Sequence, residues 1–126
     1  MKKSNSIKKN AGIVNKFLKK ELHGNPKQLY DAASHLILHG GKRLRPFLVL
    51  KSCQMLGGRQ SDAMTAASAV EMIHNFTLVH DDIMDNDEMR HGVPTTHKKF
   101  DMPLAILAGD VLYSKAYHTI SSKSKL

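Results

Sequence analysis

The sequence contains no tryptophan, one cysteine, few aromatic residues and no long apolar run. A single cysteine excludes an intramolecular disulfide, so Cys53 favours a reduced, cytoplasmic setting and predicts a small core side chain. The longest apolar stretches, residues 47–50 and 102–108, fall far short of the roughly 20 residues of a membrane-spanning helix. The opening MKKSNSIKKN lacks the apolar segment of a signal peptide. What remains is the composition of a soluble globular protein of one domain.

The charge of the chain is strongly one-sided. Its 126 residues carry a formal net charge of +8, with a pI of about 9.7. This balance favours anionic partners such as phosphates, nucleic acid or an acidic membrane surface. Nucleic acid is disfavoured, because aromatic residues make up only 6% of the chain and no familiar basic-plus-aromatic module occurs. The lysines near the start are expected to form a solvated face.

Apolar residues recur at helical spacing and strand-type alternation is absent, so the sequence predicts an all-α protein. Glycine and proline residues divide the chain into five predicted helices. The polar segment MRHGVPTTHKKFD is expected to be a connection, and the tail SSKSKL is interpreted as a chain that stops abruptly. The predicted helices run from Ile7 to Leu22, from Pro26 to His39, from Pro46 to Gly57, from Ser61 or Asp62 to about Asp87, and from Pro103 toward Tyr117.

Three carboxylates are concentrated in DDIMD, residues 81–85, within an otherwise apolar helical segment. At about 100° per residue, Asp81 and Asp85 share one helix face and Asp82 lies at its edge. Like charges at this spacing destabilise a helix, so the cluster calls for a compensating cation. Mg²⁺ is the candidate, because it takes one or two carboxylates and leaves positions for phosphate oxygens. His74 falls within about 20° of the same line, either as a functional imidazole or as a core histidine.

The segment GGKRLRP, residues 40–46, predicts an anion site. Its two glycines permit an unusual turn, and Pro46 suits the first position of the next helix. Lys42, Arg43 and Arg45 then crowd the positive end of that helix dipole, which is unfavourable unless an anion binds there. A solvated basic loop is the alternative.

A third segment, MRHGVPTTH at residues 89–97, places Arg90 shortly after Asp85, with His91 and His97 close by. An arginine beside a metal cluster can hold a phosphate oxygen that the metal does not. A surface arginine is the alternative. Taken together, the three segments predict a metal-bridged diphosphate on one side and a second phosphate on the other.

Other functions fit these motifs less well. GGK lacks the glycine spacing and the following Ser/Thr of a P-loop, and one cysteine rules out a Cys-pair zinc site. The dipeptide His80-Asp81 could indicate a His/Asp metal phosphohydrolase, but that interpretation leaves Asp82, Asp85 and the Gly-Gly-Lys turn unexplained. A non-catalytic helical module, which binds diphosphate or pairs with another chain, also stays open.

In order and spacing, the segments GGKRLRP, LVHDDIMD, RHGVPTTH and LAGDVL resemble the motifs of trans-isoprenyl diphosphate synthases, over residues 36–113. The similarity is greatest to archaeal-type geranylgeranyl or farnesyl diphosphate synthases, members of the polyprenyl synthetases. It implies an all-helical isoprenoid-synthase bundle with a central cavity, usually a homodimer. It also implies a Mg²⁺-dependent prenyltransferase that condenses an allylic diphosphate with isopentenyl diphosphate.

The resemblance also assigns roles to individual residues. Asp81 and Asp85 match the metal ligands that grip the allylic diphosphate, and Asp82 matches a supporting catalytic position. The matched contacts to isopentenyl diphosphate are Lys42, Arg45 and His74, and the matched contact to the allylic diphosphate is Arg90.

Product length is assigned, again by resemblance, to Phe76 and its neighbour Thr77. Ideal helix geometry places Phe76 away from the Asp81 line, so a plain core phenylalanine is the alternative. Asp110, in LAGD, matches a family position and is expected to be structural.

Two departures from the family pattern bear on function. The family has a second arginine where this chain has His91, still a predicted substrate contact; imidazole is mostly neutral at pH 7, whereas arginine stays charged. Family members are more than twice as long, and nothing after Asp110 can supply their second aspartate-rich motif. Residues 1–126 are therefore expected to be the N-terminal portion of a synthase domain, whose activity alone is doubtful. Half a bundle exposes its cavity face, which predicts self-association.

Overall fold

The structure, a computed structural model that describes residues 2–123, confirms the all-α prediction. Within those residues six helices are joined by short connections, and one connection contains a two-stranded antiparallel hairpin. In the same part of the chain, no helix has both the length and the apolarity needed to cross a bilayer. The elements are α1 Lys2–Glu21, α2 Lys27–Ile37, α3 Leu44–Met55, α4 Gln60–Met84, β1 Met89–Arg90, β2 Val93–Pro94, α5 Thr96–Lys99 and α6 Met102–Lys123.

Helix α4 is the centre of the arrangement. It packs against α6 on one side and against α3 on another, and α1 and α2 complete the core. Many of the buried side chains of α4 and α6 are small, which lets these helices pack closely against their neighbours. Leu112 of α6 and Met72 of α4 are fully buried within this layer. The buried small residues are Ala63, Ala67 and Ala69 on α4 and Ala105, Ala108 and Ala116 on α6.

Helix α1 is amphipathic, as its sequence predicts. Val14 and Leu18 are fully buried, whereas Ile13 and Phe17 pack only at the edge of the core. The expected solvated face is present, because the lysines from position 8 onward are exposed. Cys53, in α3, is free and half-buried against the same core.

Several predicted helix boundaries are wrong by a few residues. Helix α3 begins at Leu44, so Pro46 is its third residue; proline is tolerated there because a first-turn N–H has no intrahelical partner. Helix α4 begins after Arg59, whose backbone N–H donates to the Asp62 carboxylate at 3.3 Å, so Asp62 caps from inside the helix.

The ends of the helices differ as well. Helix α2 ends at Ile37 rather than His39, and α4 ends at Met84 rather than near Asp87. Helix α6 continues well past Tyr117 to Lys123. The last three residues of the predicted tail lie outside the described residues.

The segment predicted as a plain polar connection is more ordered than expected. It forms the β1–β2 hairpin and the short helix α5. Thr95 is fully buried, and its hydroxyl donates to the Asp87 carbonyl at 2.9 Å. The ring of His35, in α2, bonds through Nε2 to the Pro94 carbonyl at 2.6 Å. These contacts hold the hairpin against α2 and the end of α4.

Candidate active site

A cavity of about 420 Å³ lies between the α2–α3 loop, α4 and the turn of the hairpin. Lys42 and Arg45 reach it from the loop and the first turn of α3, His74 from α4, and His91 from the hairpin turn. These four residues are separated by up to 49 positions along the chain, yet the fold gathers them around one opening. Four nitrogen-bearing side chains around a single cavity give it hydrogen-bond donors of the kind that suit an anion.

His74 and Arg45 are in direct contact within this cavity. The Arg45 Nη1 atom lies 3.3 Å from His74 Nε2. A guanidinium can only donate, so Nε2 is the acceptor and the imidazole is neutral in this pairing. Burial, and then the nearby charge of Arg45, lower the pKa of His74. An anion entering the cavity would meet the positively charged guanidinium of Arg45 together with the polar imidazole ring of His74.

His91 is held against the glycine turn. Its backbone has φ 53°, in the left-handed region that non-glycine residues seldom adopt. A Cβ at Gly40 would lie 2.8 Å from the His91 ring, which is closer than real contacts allow. The first glycine of the GGKRLRP segment is therefore needed so that the His91 ring can lie beside Lys42.

Arg43 lines the same cavity as Lys42 and Arg45, but unlike them it is buried and paired, which the grouping did not predict. It is the N-cap of α3, and its side chain is buried with Nη1 2.9 Å from Glu71 Oε1. The sequence pattern did not predict this ion pair. The available signal was Glu71 itself, a carboxylate between the apolar residues Val70 and Met72 of α4.

Asp81 and Asp85 are both exposed at the last turn of α4. Asp85 is the C-cap, and its N–H donates to the Asp81 carbonyl at 2.8 Å, so the two residues are one turn apart as predicted. The C-terminal end of a helix carries partial negative charge, which adds to the repulsion between the carboxylates. A cation would relieve this concentration of negative charge.

The donor set fits a hard divalent metal that shares its coordination with a substrate. Among the described residues, no group of three or more His, Cys, Asp or Glu side chains forms a ready-made metal cage. Two exposed carboxylates, from Asp81 and Asp85, are nevertheless what Mg²⁺ commonly takes from a protein, with phosphate and water oxygens completing its shell.

Asp82 lies inside the protein, not at the edge of the carboxylate face as predicted. It is fully buried, and both of its oxygens accept from Arg90 Nε at 3.0 Å, with a further bond from Nη2 at 2.8 Å. Hydrogen bonding to Asp82 raises the pKa of Arg90, so that the guanidinium is always charged. Asp82 therefore cannot ligate a metal without breaking this pair. Its contact instead fixes Arg90 beside the last turn of α4, the acidic turn, which carries Asp81 and Asp85.

Phe76 and Thr77 occupy different surroundings although they are adjacent. The Phe76 ring is half-buried, 4.8 Å from the His80 ring and 5.3 Å from the Tyr113 ring. Thr77 is exposed, and its hydroxyl donates to the His74 carbonyl of its own helix at 2.6 Å. An apolar wall beneath the acidic turn thus includes Phe76 and Tyr113 but not the Thr77 hydroxyl.

The His80 ring points toward α6 and not toward Asp81 and Asp85. Its Nε2 bonds to the Ile106 carbonyl at 3.2 Å and lies 3.9 Å from the Asp110 carboxylate. A Cβ at Gly109 would stand only 2.4 Å from Nε2, so glycine is required at this crossing. This orientation speaks against a His80–Asp81 metal cluster. The contact was not predicted, although a glycine inside an apolar helix was its signal.

His97 lies away from the cavity that the other site residues share. It is buried in α5, and within the described residues neither of its ring nitrogens has a hydrogen-bond partner. Asp110, expected to be structural, is exposed apart from its proximity to His80.

The fold and the site define a helical protein in which one helix, α4, lines the cationic cavity and carries Asp81 and Asp85 at its C-terminal end. The family model for polyprenyl synthetases matches residues 26–125, and the chain belongs to this family.

Similar proteins come mainly from archaea. The chain is 50% identical over 112 residues to a geranylgeranyl diphosphate synthase of Saccharolobus solfataricus, which covers 89% of this chain and 34% of that protein. The structure of a geranylgeranyl pyrophosphate synthetase from Geoglobus acetivorans matches with a TM-score of 0.88 at 51% identity, covering 92% of this chain and 38% of that one. A synthetase of the same name from Pyrococcus horikoshii matches with a TM-score of 0.92 at 44% identity, covering 98% and 38%. The chain thus spans about a third of the length of the curated relatives it matches.

Proposed function

We propose that this chain carries the diphosphate-binding part of a prenyltransferase, which condenses an allylic diphosphate with isopentenyl diphosphate. One observation carries the proposal: a single helix, α4, presents His74 to a cationic cavity and Asp81 and Asp85 at its end. Seven residues of α-helix separate His74 from Asp81, a rise of about 10 Å. Such a spacing suits two diphosphate groups held apart while their hydrocarbon parts meet.

The acidic turn is proposed as the allylic half of the site. Asp81 and Asp85 would hold Mg²⁺, which when bound neutralises the allylic diphosphate and makes it a better leaving group. Arg90, held rigidly by Asp82, has a side chain that is 27% exposed and can donate to the same diphosphate from the protein side. Asp82 is thereby proposed as a support for Arg90 instead of a metal ligand.

The cationic cavity is proposed as the isopentenyl half. Lys42 and Arg45 would contact the diphosphate of this substrate, with His74 and His91 at the flanks. Since this diphosphate is retained in the product, these residues serve to hold and orient it. The allylic C–O bond breaks, the double bond of isopentenyl diphosphate forms the new C–C bond, and a proton is then lost. Water must be kept away from the electron-deficient allylic carbon, a task for apolar walls.

Product length is proposed to depend on the aromatic wall beneath the acidic turn. The contact between the Phe76 and Tyr113 rings, which joins α4 to α6 about one turn before Asp81, supports this proposal because bulky rings there would limit the length of an elongating prenyl chain. Several relatives are geranylgeranyl diphosphate synthases, and one similar structure is that of an FPP/GFPP synthase from Zymomonas mobilis. We favour a geranylgeranyl product on the basis of the more similar relatives.

The proposed setting of the protein rests on fewer observations. A reducing, cytoplasmic environment is supported by the single free Cys53. Pairing with a second protein chain, either a copy of this one or a different one, is supported by the exposed apolar residues of α3 and α6.

Incubation with Mg²⁺, a radiolabelled allylic diphosphate and isopentenyl diphosphate tests the function. A longer prenyl diphosphate supports the proposal, release of inorganic phosphate indicates a hydrolase, and neither product indicates a binding module. The hydrolase is already disfavoured by the direction in which His80 points.

Calorimetry separates binding from turnover. The chain should bind a non-hydrolysable allylic diphosphate analogue only when Mg²⁺ is present. Asp81→Ala/Asp85→Ala should abolish this Mg²⁺-dependent uptake, and Asp31→Ala, which removes an exposed carboxylate of α2, should leave it intact. Undiminished uptake by the double variant would refute the metal assignment.

His91→Arg tests the departure from the family pattern. Guanidinium carries a permanent charge and imidazole does not at pH 7, so the variant should bind isopentenyl diphosphate several-fold more tightly, with a lower KM. An unchanged affinity would mean that His91 does not face the substrate.

A further inference from the structure

Arg43 lies between two residues of the proposed diphosphate site, but its side chain is buried in the wall of the cavity and paired with Glu71. Lys42 and Arg45 are exposed toward the cavity, whereas only 4% of Arg43 is exposed. Its backbone has φ 57° and ψ 38°, a left-handed conformation that disfavours every residue except glycine and, less strongly, asparagine and aspartate. A long charged side chain in such a conformation must be held there by its contacts.

Three helices supply those contacts. The Arg43 Nε atom donates to Asn15 Oδ1 of α1 at 2.7 Å, and Nη1 donates to Glu71 Oε1 of α4 at 2.9 Å. Nη2 donates to the carbonyl of Ile37, the last residue of α2. The loop between α2 and α3 is thus fastened at its α3 end to the three helices around it.

The same contacts explain why a glycine is needed at position 41. Gly41 has φ 94°, and a Cβ there would lie 3.2 Å from Arg43 Nη1. The backbone therefore passes directly over the buried guanidinium. With Arg43 turned inward, its neighbours Lys42 and Arg45 are left to face the cavity.

Charge gives Arg43 a second effect on the cavity. Glu71 and Asn75 line the inner side of this cavity, and Asn75 Nδ2 donates to the Glu71 carbonyl at 2.9 Å. An unpaired Glu71 carboxylate would repel an entering diphosphate. The ion pair with Arg43 cancels that negative charge within the protein.

We propose that Arg43 is a positioning residue for diphosphate binding, which orients Lys42 and Arg45 and neutralises Glu71 without touching the substrate. The proposal rests on the proposed function of the cavity as a diphosphate site. Arg43 would affect the bound diphosphate only through its neighbours Lys42, Arg45 and Glu71.

The test is calorimetric titration of the full chain with inorganic diphosphate. Arg43→Met/Glu71→Met removes both charges at once, so that no buried charge is left unpaired and the fold is retained. We expect about tenfold weaker binding, since hydrogen bonds to charged groups have lost their alignment. The matched control Arg59→Ala/Asp62→Ala removes an exposed Arg–Asp pair at the start of α4 and should bind as the unmodified chain does.

A double-mutant cycle distinguishes positioning from general stability. Lys42→Ala should weaken binding about tenfold in the unmodified chain but less than about threefold in the Arg43→Met/Glu71→Met background, because Lys42 is already misplaced there. Asn15→Ala removes only one of the three anchors and should weaken binding a few-fold while the chain stays folded at the assay temperature, as circular dichroism would show, which keeps the test decisive should the double variant unfold. Unchanged affinity in these variants, or independent effects in the cycle, would overturn the role of Arg43. Failure of the unmodified chain to bind diphosphate would overturn the proposed function as well.

Discussion

Gly109 is the residue on which the contact between α4 and α6 depends most directly. The His80 ring occupies the space of a side chain at this position, with Nε2 2.4 Å from the ideal Cβ. We expect Gly109→Ala to destabilise the protein by about 1–3 kcal/mol, because the ring must move or the helices must separate. Chemical denaturation followed by circular dichroism would measure this change.

Gly12 provides the matched control. It lies in the exposed middle of α1, with nothing within 4 Å of an added Cβ. Gly12→Ala should therefore stabilise the protein, by up to about 1 kcal/mol, through helix propensity. Equal effects of the two substitutions would show that His80 does not restrict position 109.

The second prediction at the residue scale concerns the stability that the Asp82–Arg90 ion pair contributes. Arg90→Ala would leave the Asp82 carboxylate buried without its partner, and about 3 kcal/mol of unfolding free energy should be lost. Arg59→Ala breaks an exposed pair with Asp62 and should cost less than about 1 kcal/mol. Similar losses for the two variants, measured by denaturation, would contradict the structural role of Asp82.

At the scale of elements, the hairpin is held to α2 by a histidine whose charge is disfavoured. Burial is the main cause that lowers the pKa of His35, and the nearby charges of Lys99 and His39 lower it further. Below a pH of about 6.5 the unfolded chain takes up a proton at this position more readily than the folded one. The unfolding free energy should therefore fall as the pH is lowered from 7.5 to 5.

Substitution identifies the group responsible. His35→Gln keeps a hydrogen-bond donor for Pro94 but cannot be protonated, so the variant should show a weaker loss of stability in acid. His23→Gln changes an exposed ring and should leave the pH profile as it is. A profile that His35→Gln does not flatten would assign the pH dependence to other groups, His74 among them.

At the scale of the whole molecule, apolar side chains are exposed on the outer surface of α6. Tyr117 and Ile120 border a surface depression of about 310 Å³, together with Val70 and Ile73 of α4. We expect concentration-dependent self-association, detectable by sedimentation, that Tyr117→Lys/Ile120→Lys reduces. Leu48→Lys/Met55→Lys, on the exposed side of α3, is the comparison. Association that neither pair of substitutions reduces would mean that these faces are not involved.

Much of the fold could be predicted from local patterns. Helical spacing and the Gly/Pro breaks located the five long helices, because an amphipathic face and its ends are properties of neighbouring residues. The exact ends were missed even where local contacts decide them, as at Asp62, which accepts from the Arg59 N–H three residues earlier and caps α4 from within. The hairpin and α5 were missed because Pro94 is held by His35, 59 positions earlier in the chain, and such a partner cannot be read from the local pattern.

By itself, the sequence determined that the protein is all-α and that it belongs with the isoprenyl diphosphate synthases, and it located the basic residues and the aspartate turn of the proposed site. Only the tertiary structure decided which of those charges face solvent. Asp82 and Arg43 carry the same kinds of charge as Asp81 and Lys42, yet they are turned inward to Arg90 and Glu71. The physical reason is that burying a charge is unfavourable without a partner, and those partners become neighbours only when the helices pack.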